Sequence, residues 1–306
     1  MILEGIYAPV PTPFDLKSGD ISHSAMEDNI RRWAVTSLNG LVICGSNGEL
    51  PFISVSERAE LTRTAKLALE KSGVDKKIIT GTFMHSTRET IDCSVRAADA
   101  GADAVLILPP HYFKAAGMSG AKKFFEETAN SSPIPIVLYN MPGNTGVNLD
   151  AETVIELSRH PNIIGVKDTS GDMTQMCRIA NECGENFSVF CGSGNYLLPS
   201  LAVGASGGTL AVANLYPESA ARLLKACMES DMPRARALQY RLMLASDALT
   251  RKFGVPGLKA SMDRAGLYGG PCRSPLSDLG DDEKHRLFDA LDSTGLDEYE
   301  SWRHIC

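Results

Sequence analysis

Lys167 stands where an amine can do covalent chemistry. It closes the apolar run Ile163-Ile164-Gly165-Val166 and opens the polar stretch Asp168-Thr169-Ser170-Gly171-Asp172. A short apolar run bounded by turn formers reads as a strand buried on both faces. That sets an ammonium group at a buried strand's carboxyl end. Burial disfavours the charged form of lysine, lowers its pKa and leaves a neutral amine near neutral pH. A neutral amine can attack a ketone and form a Schiff base. The competing reading is a snorkelling or ion-paired lysine, with Asp168 as its partner.

Other chemistry-bearing residues sit in similar places. Gly45-Ser46-Asn47-Gly48-Glu49 follows an apolar run; its glycines free the backbone to turn, and its N–H groups can converge on a carboxylate. An ordinary tight turn explains it as well. Pro109-Pro110-His111-Tyr112-Phe113 and Tyr139-Asn140-Met141-Pro142-Gly143-Asn144-Thr145-Gly146 follow two further runs. A tyrosine at a strand end can move protons in a dry site, or simply pack with a satisfied hydroxyl. Lys77 stands at the start of its run rather than its carboxyl end, and Lys17, Lys66, Lys71, Lys114, Lys122, Lys123, Lys225 and Lys284 lie in polar contexts. The histidines form no H-x-H or H-E-x-x-H pattern, so no metal site is expected. Gly192-Ser193-Gly194 and Gly204-Ala205-Ser206-Gly207-Gly208 read as tight turns giving a substrate room, though phosphate loops look alike. Asp281-Asp282-Glu283 reads as a charged helix start.

The elements that must position these residues alternate. Eight β-rich runs begin at Gly5, Gly40, Lys77, Ala104, Ile134, Ile163, Phe187 and Gly207. Between them lie amphipathic stretches with helix-start signals at Ser54-Val55-Ser56-Glu57, Asp150-Ala151-Glu152 and Tyr216-Pro217-Glu218; another runs from Thr90 to Gly101. Eight such alternations predict an α/β fold, a (β/α)8 TIM barrel, with a doubly wound open sheet as runner-up. The chain turns mostly helical after Val212. Residues 1–215 are expected to form the barrel core and 216–306 the last barrel helix and a carboxyl-terminal helical extension, one structural unit. In a barrel, the carboxyl ends of the strands carry the active site.

Bulk properties narrow the partners. The 306 residues are 43% hydrophobic with a net charge of −7 and a pI near 5.4. Nucleic acid and anionic membranes are therefore not expected partners. No apolar stretch reaches the roughly 18 residues of a membrane span, and no signal peptide is visible. Eight scattered cysteines (Cys44, Cys93, Cys177, Cys183, Cys191, Cys227, Cys272, Cys306) suit reduced thiols in the cytoplasm, or in an organelle matrix after transit-peptide removal.

Over nearly its whole length the chain resembles the dihydrodipicolinate synthase / N-acetylneuraminate lyase superfamily of class I pyruvate aldolases. The likeness rests on Gly45-Ser46-Asn47-Gly48-Glu49, on Tyr139 through Gly146 against Y-N-x-P-x-R-T-G, and on Gly165-Val166-Lys167-Asp168. It runs closest to 4-hydroxy-2-oxoglutarate and 2-keto-3-deoxy sugar-acid aldolases, through Asn144-Thr145-Gly146, Thr250 to Lys259 and Tyr268 to Arg273. The departure is Asn144, usually arginine in the synthases, where it helps hold the aldehyde's carboxylate.

The resemblance implies a metal-independent carbon–carbon lyase with no cofactor beyond the covalent Schiff base on Lys167. It would cleave a 4-hydroxy-2-oxo acid to pyruvate and an aldehyde. Tyr139, relayed through Ser46 and Tyr112, would move the proton, and N–H groups at Ser46 and Asn47 would hold the pyruvate carboxylate. Thr169, Asn144 and Gly192 are candidates for the aldehyde side, and Leu210 for substrate binding. Tyr112 would reach across a subunit interface, which implies a homodimer or homotetramer; the exposed pair Tyr112-Phe113 suits such a contact. The alternatives are the synthase reaction, condensing pyruvate with aspartate semialdehyde, and a non-catalytic carboxylate-binding protein on the same fold.

Overall fold

A computed structural model describes residues 1–304; Cys306 lies outside the described residues. Eight parallel strands close into a barrel in sequence order: β1 Gly5–Pro9, β2 Gly40–Ile43, β3 Lys77–Gly81, β4 Ala104–Ile107, β5 Ile136–Asn140, β6 Ile163–Asp168, β7 Ser188–Cys191 and β8 Gly207–Thr209. Closure pairs Gly5 with Gly207. A Cβ on Gly207 would lie 1.9 Å from the Gly5 carbonyl oxygen, so the seam requires a bare backbone. The (β/α)8 barrel is present, not the open sheet. β5 starts two residues later than the apolar run because Pro135 precedes it, contributing only its carbonyl, to Val105 N–H. β8 stops at Thr209, short of Val212, because Ala213 N–H turns back to the Leu210 carbonyl and starts a 3-10 turn.

The first six helices are α1 His23–Ala34, α2 Val55–Lys71, α3 Thr87–Asp99, α4 Gly117–Ser131, α5 Pro142–Thr145 and α6 Ala151–Leu157. Six more follow: α7 Met173–Glu182, α8 Leu197–Ala202, α9 Pro217–Met228, α10 Met232–Ser246, α11 Gly254–Arg264 and α12 Asp281–Asp292. Several begin where the side chains dictate. Ser54 and Glu57 form a reciprocal capping box at α2, and Asp150 caps α6. α3 starts ahead of Thr90 because the Ser86 hydroxyl accepts from Glu89 N–H. Asp281, Asp282 and Glu283 occupy the first turn of α12, where carboxylates suit the helix dipole.

The carboxyl-terminal helices reach back to the barrel mouth. Gln239 of α10 donates to the Gly194 carbonyl at 2.8 Å and accepts from Leu198 N–H at 2.7 Å. These bonds tie α10 to the loop after β7. Between α10 and α11 the chain makes a π-helical turn, Asp247–Lys252. No helix among the described residues is long and apolar enough to cross a membrane.

Candidate active site

Lys167 lies near the carboxyl end of β6, in register with Tyr139 of β5 and Phe190 of β7. It is only 4% exposed, and its Nζ sits 4.1 Å from the centroid of the Tyr139 ring. The Tyr139 hydroxyl is 3.2 Å from Ser46 Oγ. Ser46 opens a 3-10 turn, Ser46–Gly48, directly after β2. Three strands thus deliver an amine, a phenol and a hydroxyl to one point.

They face a cavity of about 960 Å3 at the carboxyl ends of the strands. Asn47, Asn144, Thr169 and Gly192 line it as well. Gly192 is a spatial necessity: a Cβ there would stand 2.0 Å from Thr169 Oγ1 and 2.8 Å from the Asp168 carbonyl.

The Lys167–Asp168 ion pair is absent among the described residues. Successive strand residues point to opposite faces. The Asp168 carboxylate accepts from Ser170 N–H at 2.6 Å, Gln175 Nε2 at 2.8 Å and Asn140 Nδ2 at 3.3 Å, and so props the β6 end from behind.

Two expected site residues are not brought to this cavity within one chain. Tyr112 is 75% exposed beside Phe113 at 77%, its ring 6.1 Å from that of His85. Leu210 is fully buried and packs beside Gly208; its neighbour Ala211 takes the place in the lining.

Several wall residues are additions to the expected set. Asn195 and Tyr196 come from the 3-10 turn after β7, Met243 and Leu244 from α10, and Asp247 and Arg251 from the π-helical turn. Burial above all, and then Cys191, Asp168 and Tyr139 nearby, push the Tyr196 phenol well above its ordinary range. It stays protonated. The likeness through Thr250 to Lys259 was the sequence signal for part of this wall; α10 offered none.

Among the described residues a second lysine is as buried as Lys167. Lys259 of α11 is 1% exposed, but its Nζ is 2.6 Å from Glu49 Oε1 and donates to the Pro271 carbonyl. Glu49 Oε2 also accepts from Arg273 N–H at 2.8 Å. Lys259 is therefore neutralised outside the cavity, whereas Lys167 lines it. Among the described residues no group of three or more His, Cys, Asp or Glu side chains could hold a metal ion.

Comparison with known proteins identifies the family. The sequence model of the dihydrodipicolinate synthetase family matches residues 2–294. The chain belongs to that family. A 4-hydroxy-tetrahydrodipicolinate synthase of Methanoculleus marisnigri is 35% identical over 296 residues, covering 96% of this chain and 100% of that protein. One of Methanothrix thermoacetophila is 33% identical, covering 95% and 96%. Among solved structures, dihydrodipicolinate synthase DapA-2 of Bacillus anthracis superposes with a TM-score of 0.91 at 28% identity, covering 96% of this chain and 99% of that one. A prophage protein of the family from E. coli K12, solved in complex with pyruvate, gives 0.89 at 28% identity over 97% and 100%. Dihydrodipicolinate synthetase family enzymes are carbon–carbon lyases that work through a lysine Schiff base with pyruvate and carry no metal cofactor.

Proposed function

We propose that Lys167 is the Schiff-base lysine and that the reaction is cleavage of a 4-hydroxy-2-oxo acid, such as 4-hydroxy-2-oxoglutarate or a 2-keto-3-deoxy sugar acid. The Lys167 amine adds to the C2 ketone, and loss of water leaves an iminium. A proton leaves the C4 hydroxyl, the C3–C4 bond breaks, and its electrons pass into the iminium to give an enamine as the aldehyde departs. Protonation at C3 and hydrolysis release pyruvate. The observation that carries this reading is Lys167 Nζ over the Tyr139 ring, with the Tyr139 hydroxyl 3.2 Å from Ser46 Oγ in the same cavity.

Tyr139 and Ser46 take the proton-transfer role, and N–H groups at Ser46 and Asn47 take the pyruvate carboxylate. Tyr112 enters from a second copy of the chain, so the working unit is a homodimer or homotetramer, and its setting is the cytoplasm. Asn144 supports cleavage over synthesis, because the arginine usual in the synthases is missing at that position.

The second reading is the synthase reaction with aspartate semialdehyde. The relatives' names favour it over cleavage. Measuring kcat/KM for 4-hydroxy-2-oxoglutarate, a 2-keto-3-deoxy sugar acid, and pyruvate with aspartate semialdehyde separates the two. Cleavage ahead by about tenfold, the scale of one charge-assisted contact, is the expected result; semialdehyde condensation ahead by as much replaces it with the synthase.

A further inference from the structure

Among the described residues, the charged side chains lining the cavity are Lys167, Asp247 and Arg251. With Lys167 consumed in the Schiff base, Arg251 is the cation left for the rest of the substrate. We propose that Arg251 is the specificity-determining residue, taking a carboxylate at the far end of the aldehyde half. This rests on the reading of Lys167 given above, and it selects the dicarboxylic 4-hydroxy-2-oxo acids over the sugar acids.

The backbone explains how Arg251 reaches the mouth. Phe253 N–H donates to the Ala248 carbonyl at 3.2 Å, an i to i−5 bond, and Thr250 Oγ1 donates to the Ser246 carbonyl at 2.6 Å. A π-turn inserts a residue into the helical register and re-aims the side chains on it, which is why such turns gather at functional sites. Here it presents Asp247, Thr250 and Arg251 to the cavity.

The charges around Asp247 leave Arg251 able to move. Arg251 Nη1 is 3.4 Å from Asp247 Oδ1, while Lys252 Nζ is 3.5 Å from Asp247 Oδ2. Asp247 is 27% exposed, Arg251 75%. An incoming carboxylate can draw the guanidinium away without stranding Asp247, because Lys252 still neutralises it. The planar guanidinium then offers a two-bond fork that a neutral polyol cannot use as fully. Asn144 also lines the cavity and adds an amide.

The test uses R251Q and R251K in the full chain. The quantity read is the ratio of kcat/KM for 4-hydroxy-2-oxoglutarate to that for 2-keto-3-deoxygluconate. R251Q should lower this ratio ten- to hundredfold, mainly through KM, and R251K should restore part of it. D247N should lower KM for the dicarboxylate. An unchanged ratio, or equal losses on both substrates, overturns the proposal. If the wild-type protein cleaves neither acid but condenses aspartate semialdehyde with pyruvate, the cleavage reading fails separately. Arg251 is then judged on aspartate semialdehyde against an uncharged aldehyde, with the same fold-changes deciding.

Discussion

Tyr139 stands between Lys167 and Ser46. Its ring packs against the lysine Nζ while its hydroxyl meets Ser46. A positioned acid–base group contributes about 10^2- to 10^4-fold. Tyr139→Phe should therefore lower kcat by that order, and Ser46→Ala by less, in a steady-state assay with the preferred 2-oxo acid; wild-type kcat in Y139F would remove the phenol from the mechanism. Gly192→Ala should harm activity differently. Its new methyl meets the Asp168 carbonyl as well as Thr169 Oγ1, so the backbone beside Lys167 must shift. We expect a lower melting temperature together with reduced pyruvate adduct formation, and an unperturbed enzyme would show that the loop yields freely. At this scale the sequence was most readable where a residue stands at or just past the carboxyl end of a strand: Lys167, Tyr139 and Ser46 come together. Leu210, a candidate only through the resemblance, is fully buried, and Ala211 at the start of the 3-10 turn lines the cavity instead.

The loop carrying Ser46 is held by an element far along the chain. Glu49 adopts φ 60°, a left-handed conformation that costs a non-glycine residue energy. Its carboxylate is locked by Lys259 of α11 and by Arg273 N–H. Removing one partner of a buried ion pair typically costs about 3–5 kcal/mol. Lys259→Met should lose about that much in urea unfolding, and should raise KM for the 2-oxo acid as the Ser46 loop loosens. A loss under 1 kcal/mol would mean the pair is dispensable. The strands themselves were legible because each is a continuous apolar run between turn formers. The contribution of α10 was not: Met243 and Leu244 carry no chemistry of their own, and long-range packing with the bonds of Gln239 to the β7 loop places that helix at the mouth.

The whole molecule presents Tyr112 and Phe113 as an aromatic pair about three-quarters exposed on the loop after β4. Large apolar side chains left in water together mark a contact surface. In sedimentation velocity the wild-type chain should run as a dimer or tetramer, and Tyr112→Ser with Phe113→Ser should shift it toward monomer and cut kcat. A wild-type monomer would leave Tyr112 outside the site. Closure of the barrel was readable from eight alternations; a partner surface was an expectation carried by the resemblance and by two aromatic letters in a loop. The central claim is that one amine of this chain forms the covalent bond. Thirteen lysines are present. Incubation with pyruvate, reduction with borohydride and peptide mass mapping should place a single reduced three-carbon adduct on Lys167, with none in Lys167→Ala. An adduct on Lys259 or any other lysine, or no adduct at all, would contradict the account.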